Sequence, residues 1–295
     1  MIYLRHFGLD RAPFSITPDA GFFFAHDGAQ QVFNTVLVAL RTGEGFLKVV
    51  GEVGCGKTVL CRRLLDTLRD EAVCAYLPNP ELEPQELYRA LCDELAVPLG
   101  DGSLYAMRQA LTEALLRHAE AGRRVLVCID EAQAMPLRTL ESLRLLSNIE
   151  TEQQKLLQIV LLGQPELDAK LRNPAVRQLL QRITFAEQLR GLTAAEVAAY
   201  VQHRLAVAGT GQPLFAPEAL RALALAARGV PRLVNVLAHK ALLLAYGEGA
   251  VQVQARHLRA AAADTPAASQ PGRWAGWRAV LGRPLRPLFS GDSVR

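Results

Sequence analysis

The sequence predicts an α/β fold: a parallel five-stranded sheet between helices, followed by a small all-helical domain. Three observations carry this. Gly51-Glu52-Val53-Gly54-Cys55-Gly56-Lys57-Thr58 fits the pattern G-x-x-x-x-G-K-[ST], directly after the apolar run 46–50 and before a helical stretch opening on Val59. A second apolar run, 125–129, ends in Asp130-Glu131. Strand-length apolar runs alternate with helical patterns as far as residue 189, and beyond it the pattern is almost wholly helical. The fold class is therefore that of the P-loop NTPases.

The elements follow in order. Residues 1–25 form an irregular aromatic segment, expected to pack over the core with its end bordering the nucleotide base or serving plain packing. Residues 28–42 read as a helix, with Val32, Val36 and Ala39-Leu40 at helical spacing. The first strand and the loop come next. A strand over 72–77 is ended by Pro78-Asn79-Pro80, and helices fill 84–96 and 103–120. Val125-Leu126-Val127-Cys128-Ile129 suits a buried parallel strand. A helix over 137–150 carries Leu140, Leu143 and Leu146; a strand over 156–162 is broken by Gly163-Gln164-Pro165. A helix over 174–181 and a short last strand, 183–185, complete the sheet. Thr193-Ala194-Ala195-Glu196 opens the helical part as a capping box. The division is 1–191, a nucleotide-binding core including the N-terminal segment; 192–263, a helical lid; and 264–295, a flexible basic tail rich in Pro, Gly, Ser and Arg.

The residue types fit phosphate chemistry. Gly51, Gly54 and Gly56 let the backbone approach an anion and point its N–H groups inward, and the loop ends on a helix N-terminus. Lys57 would reach the β- and γ-phosphates and Thr58 would place its hydroxyl on Mg²⁺. Glu52, Val53, Cys55 and Val59 complete the expected nucleotide-binding set. Asp130, with Thr58, would hold Mg²⁺, and Glu131 would polarise the attacking water. The competing reading of Asp130 is a plain helix cap.

At 295 residues, half of them hydrophobic, the composition is globular, and no run of about 18 apolar residues predicts a membrane span. The N-terminus does not read as a secretory signal. Five cysteines, at 55, 61, 74, 92 and 128, lack C-x-x-C spacing and suit a reducing cytoplasm; Cys55, inside the loop, could make the site oxidation-sensitive. The net charge is +4, but residues 265–295 hold five arginines and one aspartate, leaving 28 basic and 28 acidic residues elsewhere. A balanced body argues against broad nucleic-acid binding and leaves local patches open.

The chain resembles the AAA+ ATPases of the ExeA/GspA-like secretion and pilus group. The carrying residues are Tyr3-Leu4-Arg5-His6-Phe7-Gly8-Leu9, Pro13-Phe14, Thr17-Pro18-Asp19, the loop, and Ile129-Asp130-Glu131-Ala132-Gln133. Further matches are Leu143-Arg144-Leu145-Leu146-Ser147-Asn148-Ile149-Glu150-Thr151, Gly163-Gln164-Pro165-Glu166-Leu167, Gln181-Arg182-Ile183, and Gly229-Val230-Pro231-Arg232-Leu233-Val234-Asn235. The resemblance covers about residues 1–262. It implies an AAA+ core and lid that hydrolyse ATP to ADP and phosphate with Mg²⁺. It also implies that Gln164 stands at the sensor-1 position, Arg182 (or Arg177) at that of an arginine finger, and Arg232 at sensor 2. A nucleotide-dependent homo-oligomer and pilus or secretion assembly partners at the inner membrane are implied too, with a cytoplasmic or peripheral location. Longer relatives of the ExeA type can carry a membrane span and a peptidoglycan-binding region. This sequence shows neither, which favours the shorter MshM-like type of MSHA-pilus biogenesis. The tail, with Arg273, Trp274, Trp277, Arg278, Arg283 and Arg286, suits either contact with an anionic membrane or disorder. Two other readings stand: a DNA-associated helper ATPase of the transposition type, and a nucleotide-gated scaffold with little turnover.

Overall fold

The computed structural model describes residues 2–17, 20–99, 102–149 and 155–269. The expectations for Pro18, Asp19, Glu150, Thr151 and the chain from residue 270 lie outside the described residues. Five strands, β1 (Phe46–Gly51), β2 (Ala72–Leu77), β3 (Arg124–Ile129), β4 (Leu157–Gly163) and β5 (Phe185–Leu189), form one sheet in the order β2-β3-β4-β1-β5. Every neighbouring pair is parallel.

Burial tracks position in the sheet. Central β1 and β4 are buried at every residue and β3 at all but Arg124, whereas the edge strands β2 and β5 are buried only in part. Side chains alternate between two cores, as a pleated strand requires. Leu47, Val49, Leu126, Cys128, Val160 and Leu162 pack with α1 (Asp27–Arg41) and α2 (Lys57–Leu68). Val125, Val127, Ile129, Ile159 and Leu161 pack on the other face, with α3 (Pro84–Glu94), α4 (Leu104–Glu120) and α5 (Leu137–Leu146). The buried amide of Gln158 is satisfied by the Leu40 and Glu44 carbonyls at 2.8 and 2.9 Å.

After α6 (Glu166–Leu171), the helix expected over 174–181 is a 3₁₀ turn, Pro174–Val176, followed by α7 (Arg177–Leu180). The last strand is not 183–185 but Phe185–Leu189. As an edge strand it carries exposed Ala186 and Gln188, which hid it from a search for apolar runs.

The C-terminal helical region, expected above to be a lid, comprises α8 (Ala194–Val207), α9 (Pro217–Ala227), α10 (Pro231–Gly247), α11 (Ala255–Ala263) and a short α12 (Pro266–Ser269). The capping box forms: the Thr193 hydroxyl accepts from the Glu196 N–H at 3.3 Å, and the Glu196 carboxylate accepts from the Thr193 N–H at 2.7 Å. At the core–lid junction the Leu192 N–H donates to the Gly229 carbonyl at 2.7 Å. Gly229 has φ +75°, and a Cβ there would stand 2.1 Å from the Leu192 carbonyl oxygen, so only glycine fits. The N-terminal segment does not pack over the sheet. Tyr3, Phe7, Leu9, Phe14 and Phe22 share one apolar cluster with lid residues Val197, Val201, Leu205, Leu237 and Leu242.

Candidate functional site

Strand order builds the site. Because β4 lies between β1 and β3, three parallel strands open their carboxyl ends side by side, where α/β sheets bind ligands. From β1 comes the loop 52–56, from β3 the pair Asp130-Glu131, and from β4 Gln164.

Gly54 and Gly56 have φ of +81° and +98°, left-handed values that turn successive N–H groups inward, and Gly56 caps α2. The buried Lys57 ammonium donates to the loop carbonyls of Gly51 and Glu52 at 2.8 and 3.2 Å. It is a cation at the mouth of an anion nest, with donors that phosphate oxygens can take. The Thr58 hydroxyl donates to Asp130 Oδ2 at 2.6 Å. Two hard oxygen ligands side by side suit Mg²⁺, which is bound through one or two carboxylates plus phosphate oxygens and water. Among the described residues no cluster of three or more His, Cys, Asp or Glu could hold a metal ion.

Glu131 sits at φ +51°, a left-handed conformation that costs about 1 kcal/mol or more in a non-glycine residue. Its carboxylate accepts from Gln133 Nε2 at 2.5 Å and Gln164 Nε2 at 3.0 Å. Burial pushes its pKa up, but the two amides and the Lys57 charge outweigh that and hold it below the usual value. Gln133 also accepts from the Gln164 N–H at 2.9 Å, closing a triangle. Gln133 entered above only as the end of the matching stretch 129–133 and was given no role; its place two residues after Glu131 was the available signal. The Cys55 thiol is pushed up by burial, against the pull of Lys57, so it is not an activated thiolate and the oxidation-sensitive reading loses its chemical basis.

The lid reaches the loop. Arg232, in the first turn of α10, donates its N–H to the Gly54 carbonyl at 3.3 Å, and a Cβ on Gly54 would come within 2.6 Å of Arg232 Cβ. A cleft of about 260 Å³ is lined by residues 53–60, Glu131 and Arg232 together with residues 15–17, 22–24, Tyr200, Arg204 and Asn235. The last three were given no role from the sequence: Asn235 closes the matching stretch 229–235, whereas Tyr200 and Arg204 stand in no local motif. The aromatic residues 22–24 do border the cleft. Arg182 and Arg177 do not line it: Arg182 Nη1 donates to Ser147 Oγ at 2.9 Å, and Arg177 is exposed on α7.

A family model described as "AAA domain" matches residues 40–171. General secretion pathway protein A of Aeromonas hydrophila is 40% identical over 274 residues, covering 92% of this chain. The chain spans 50% of that protein's length. Among solved structures, Cdc6p of Pyrobaculum aerophilum aligns with a TM-score of 0.65 and 18% identity, over 84% of this chain and 71% of that one. The Aeropyrum pernix ORC2 protein aligns with a TM-score of 0.63 and 19% identity, over 90% and 74%. At such identities these two structures speak for the fold alone.

Proposed function

Because the chain belongs to the AAA+ proteins of the ExeA/GspA-like group, we propose that it binds ATP with Mg²⁺ in this cleft and hydrolyses it to ADP and phosphate. In this reading the loop amides and Lys57 grip the β- and γ-phosphates, and Thr58 and Asp130 hold Mg²⁺, which neutralises phosphate charge when bound. Glu131 polarises the attacking water, and Gln164 with Gln133 aims its carboxylate. Arg232 contacts the γ-phosphate from the lid. Arg182, with Arg177 as its competitor, enters the cleft of a neighbouring copy in a nucleotide-dependent homo-oligomer.

Residues 192–263, with the N-terminal segment packed on them, then move as a lid against the rest of residues 1–191. The partner of this motion is a secretion or type IV pilus assembly apparatus at the cytoplasmic side of the inner membrane, with MSHA-type pilus biogenesis as the specific role. The secretion part is supported by the likeness to a general secretion pathway protein. Among the described residues no helix is long and apolar enough to cross a membrane.

The observation that carries the ATPase reading is the meeting of Lys57, Thr58, Asp130, Glu131 and Gln164 on one sheet edge. Phosphate release from Mg·ATP by the purified chain tests it. Turnover should be measurable and should vanish in Lys57→Ala; equal turnover by that variant would refute the reading. A deletion strain that loses pili or secreted protein, and is not rescued by the Lys57→Ala gene, tests the pathway.

A further inference from the structure

Arg204 is only 6% exposed, yet among the described residues no carboxylate pairs with its guanidinium. It spends its donors on the N-terminal strap and on the lid itself. Nε donates to the Pro13 carbonyl, Nη2 to the Ser15 carbonyl at 3.4 Å, and Nη1 to the Tyr200 hydroxyl at 2.8 Å. Its flat face lies over the Phe22 ring, 4.4 Å from the centroid. The Tyr200 hydroxyl donates onward to Asn235 Oδ1 at 3.0 Å, and Asn235 Nδ2 donates to the Ser15 carbonyl at 3.4 Å.

A buried cation is costly to keep, and a planar guanidinium held by two carbonyls, a hydroxyl and a ring face keeps that cost down. Such a group fixes geometry. Here it fixes two carbonyls of a strap that is 189 and 191 residues away in sequence. The same lid also touches the other end of the cleft, because Arg232, three residues before Asn235 on α10, bonds to Gly54.

We propose that Arg204, with Tyr200 and Asn235, is the clasp that, through the Pro13 and Ser15 carbonyls, sets residues 15–17 as the base-side wall of the cleft. Arg204 is thereby a positioning residue for the nucleoside part of the ligand, as distinct from its phosphate chain. The proposal rests on the nucleotide-binding reading above and deepens it. The clasp is spent on the strap and the lid, not on the phosphate loop. Its loss therefore falls on a ligand that carries a base and spares one that consists of phosphates only.

The test is a titration of Mg·ATP and of magnesium tripolyphosphate into the full chain and into Arg204→Met, Arg204→Lys and Tyr200→Phe. Arg204→Met is expected to weaken ATP about tenfold or more while tripolyphosphate changes by no more than about twofold. Arg204→Lys should fall between, since an ammonium keeps the charge without the fork of donors. Tyr200→Phe should lower the ATP-to-tripolyphosphate affinity ratio by a smaller factor, and it decides the matter if Arg204→Met does not fold. A ratio that stays constant in Tyr200→Phe and in every folded Arg204 variant overturns the clasp. A parent chain that binds neither ligand, or a Lys57→Ala variant that binds both as tightly as the parent, sinks the nucleotide reading and the clasp with it.

Discussion

The two sides of the cleft are built differently. The phosphate side consists of short contiguous segments, each following a parallel strand: 51–58 after β1, Asp130-Glu131 after β3, and Gln164 after β4. The opposite side is stitched from distant segments: Arg204 to Pro13, and Asn235 to Ser15 at 3.4 Å. A sheet fixes its ligand edge by strand order, so local sequence suffices there. A lid has no such edge and must be tied to the strap residue by residue. It follows that the phosphate side should govern whether nucleotide binds and reacts, and the lid side which nucleotide binds and how its binding is felt elsewhere.

Mutations separate the two. Lys57→Ala removes the ammonium that closes the mouth of the nest and should weaken ATP by at least about 100-fold in a binding titration. Arg182→Ala should leave ATP affinity near that of the parent while hydrolysis falls by ~10³–10⁵, the range of arginine fingers in related phosphoryl transfer. Mixing it with Lys57→Ala protein should restore part of the activity, because each variant supplies what the other lacks; no restoration would remove the trans role. Glu131→Gln should also keep ATP binding and lose turnover by ~10²–10⁴. If turnover survived intact, the scaffold reading would gain the ground that the ATPase reading lost.

The smallest effect belongs to the junction between the two regions. The Glu196 carboxylate is held down to about 2 by paired hydrogen bonds from Arg190, with Thr193 adding to them. A carboxylate lowered in the folded state contributes stability that is fully present above its ordinary value of 4.5 and is lost as the pH falls toward 2. Thermal unfolding of the parent should therefore drop toward that of Glu196→Gln over this acid window. Parallel Tm curves for the two proteins from pH 7 to pH 3 would show that the latch contributes nothing.

What could be read from the sequence follows the same divide. The loop, the acidic pair and the central strands were legible because each is a run of adjacent residues with a fixed physical role. β5 was misplaced because an edge strand with one half-wet face lacks a continuous apolar run. Gln133 escaped because its role arises only when β4 delivers Gln164 next to it. The N-terminal aromatics were visible as apolar residues, yet nothing local says that they pack on helices some 200 residues onward rather than on the sheet. Arg204 stands in no sequence motif, and only its burial against the strap marks it out.

Hydrogen–deuterium exchange with and without Mg·ATP tests the central claim, that one ligand is held between sheet edge and lid, most directly. Binding should slow exchange together in the phosphate loop 51–58, at the start of α10 around Arg232, and in the strap 13–17. Protection confined to regions away from these three segments, or none at saturating ATP, would contradict the account.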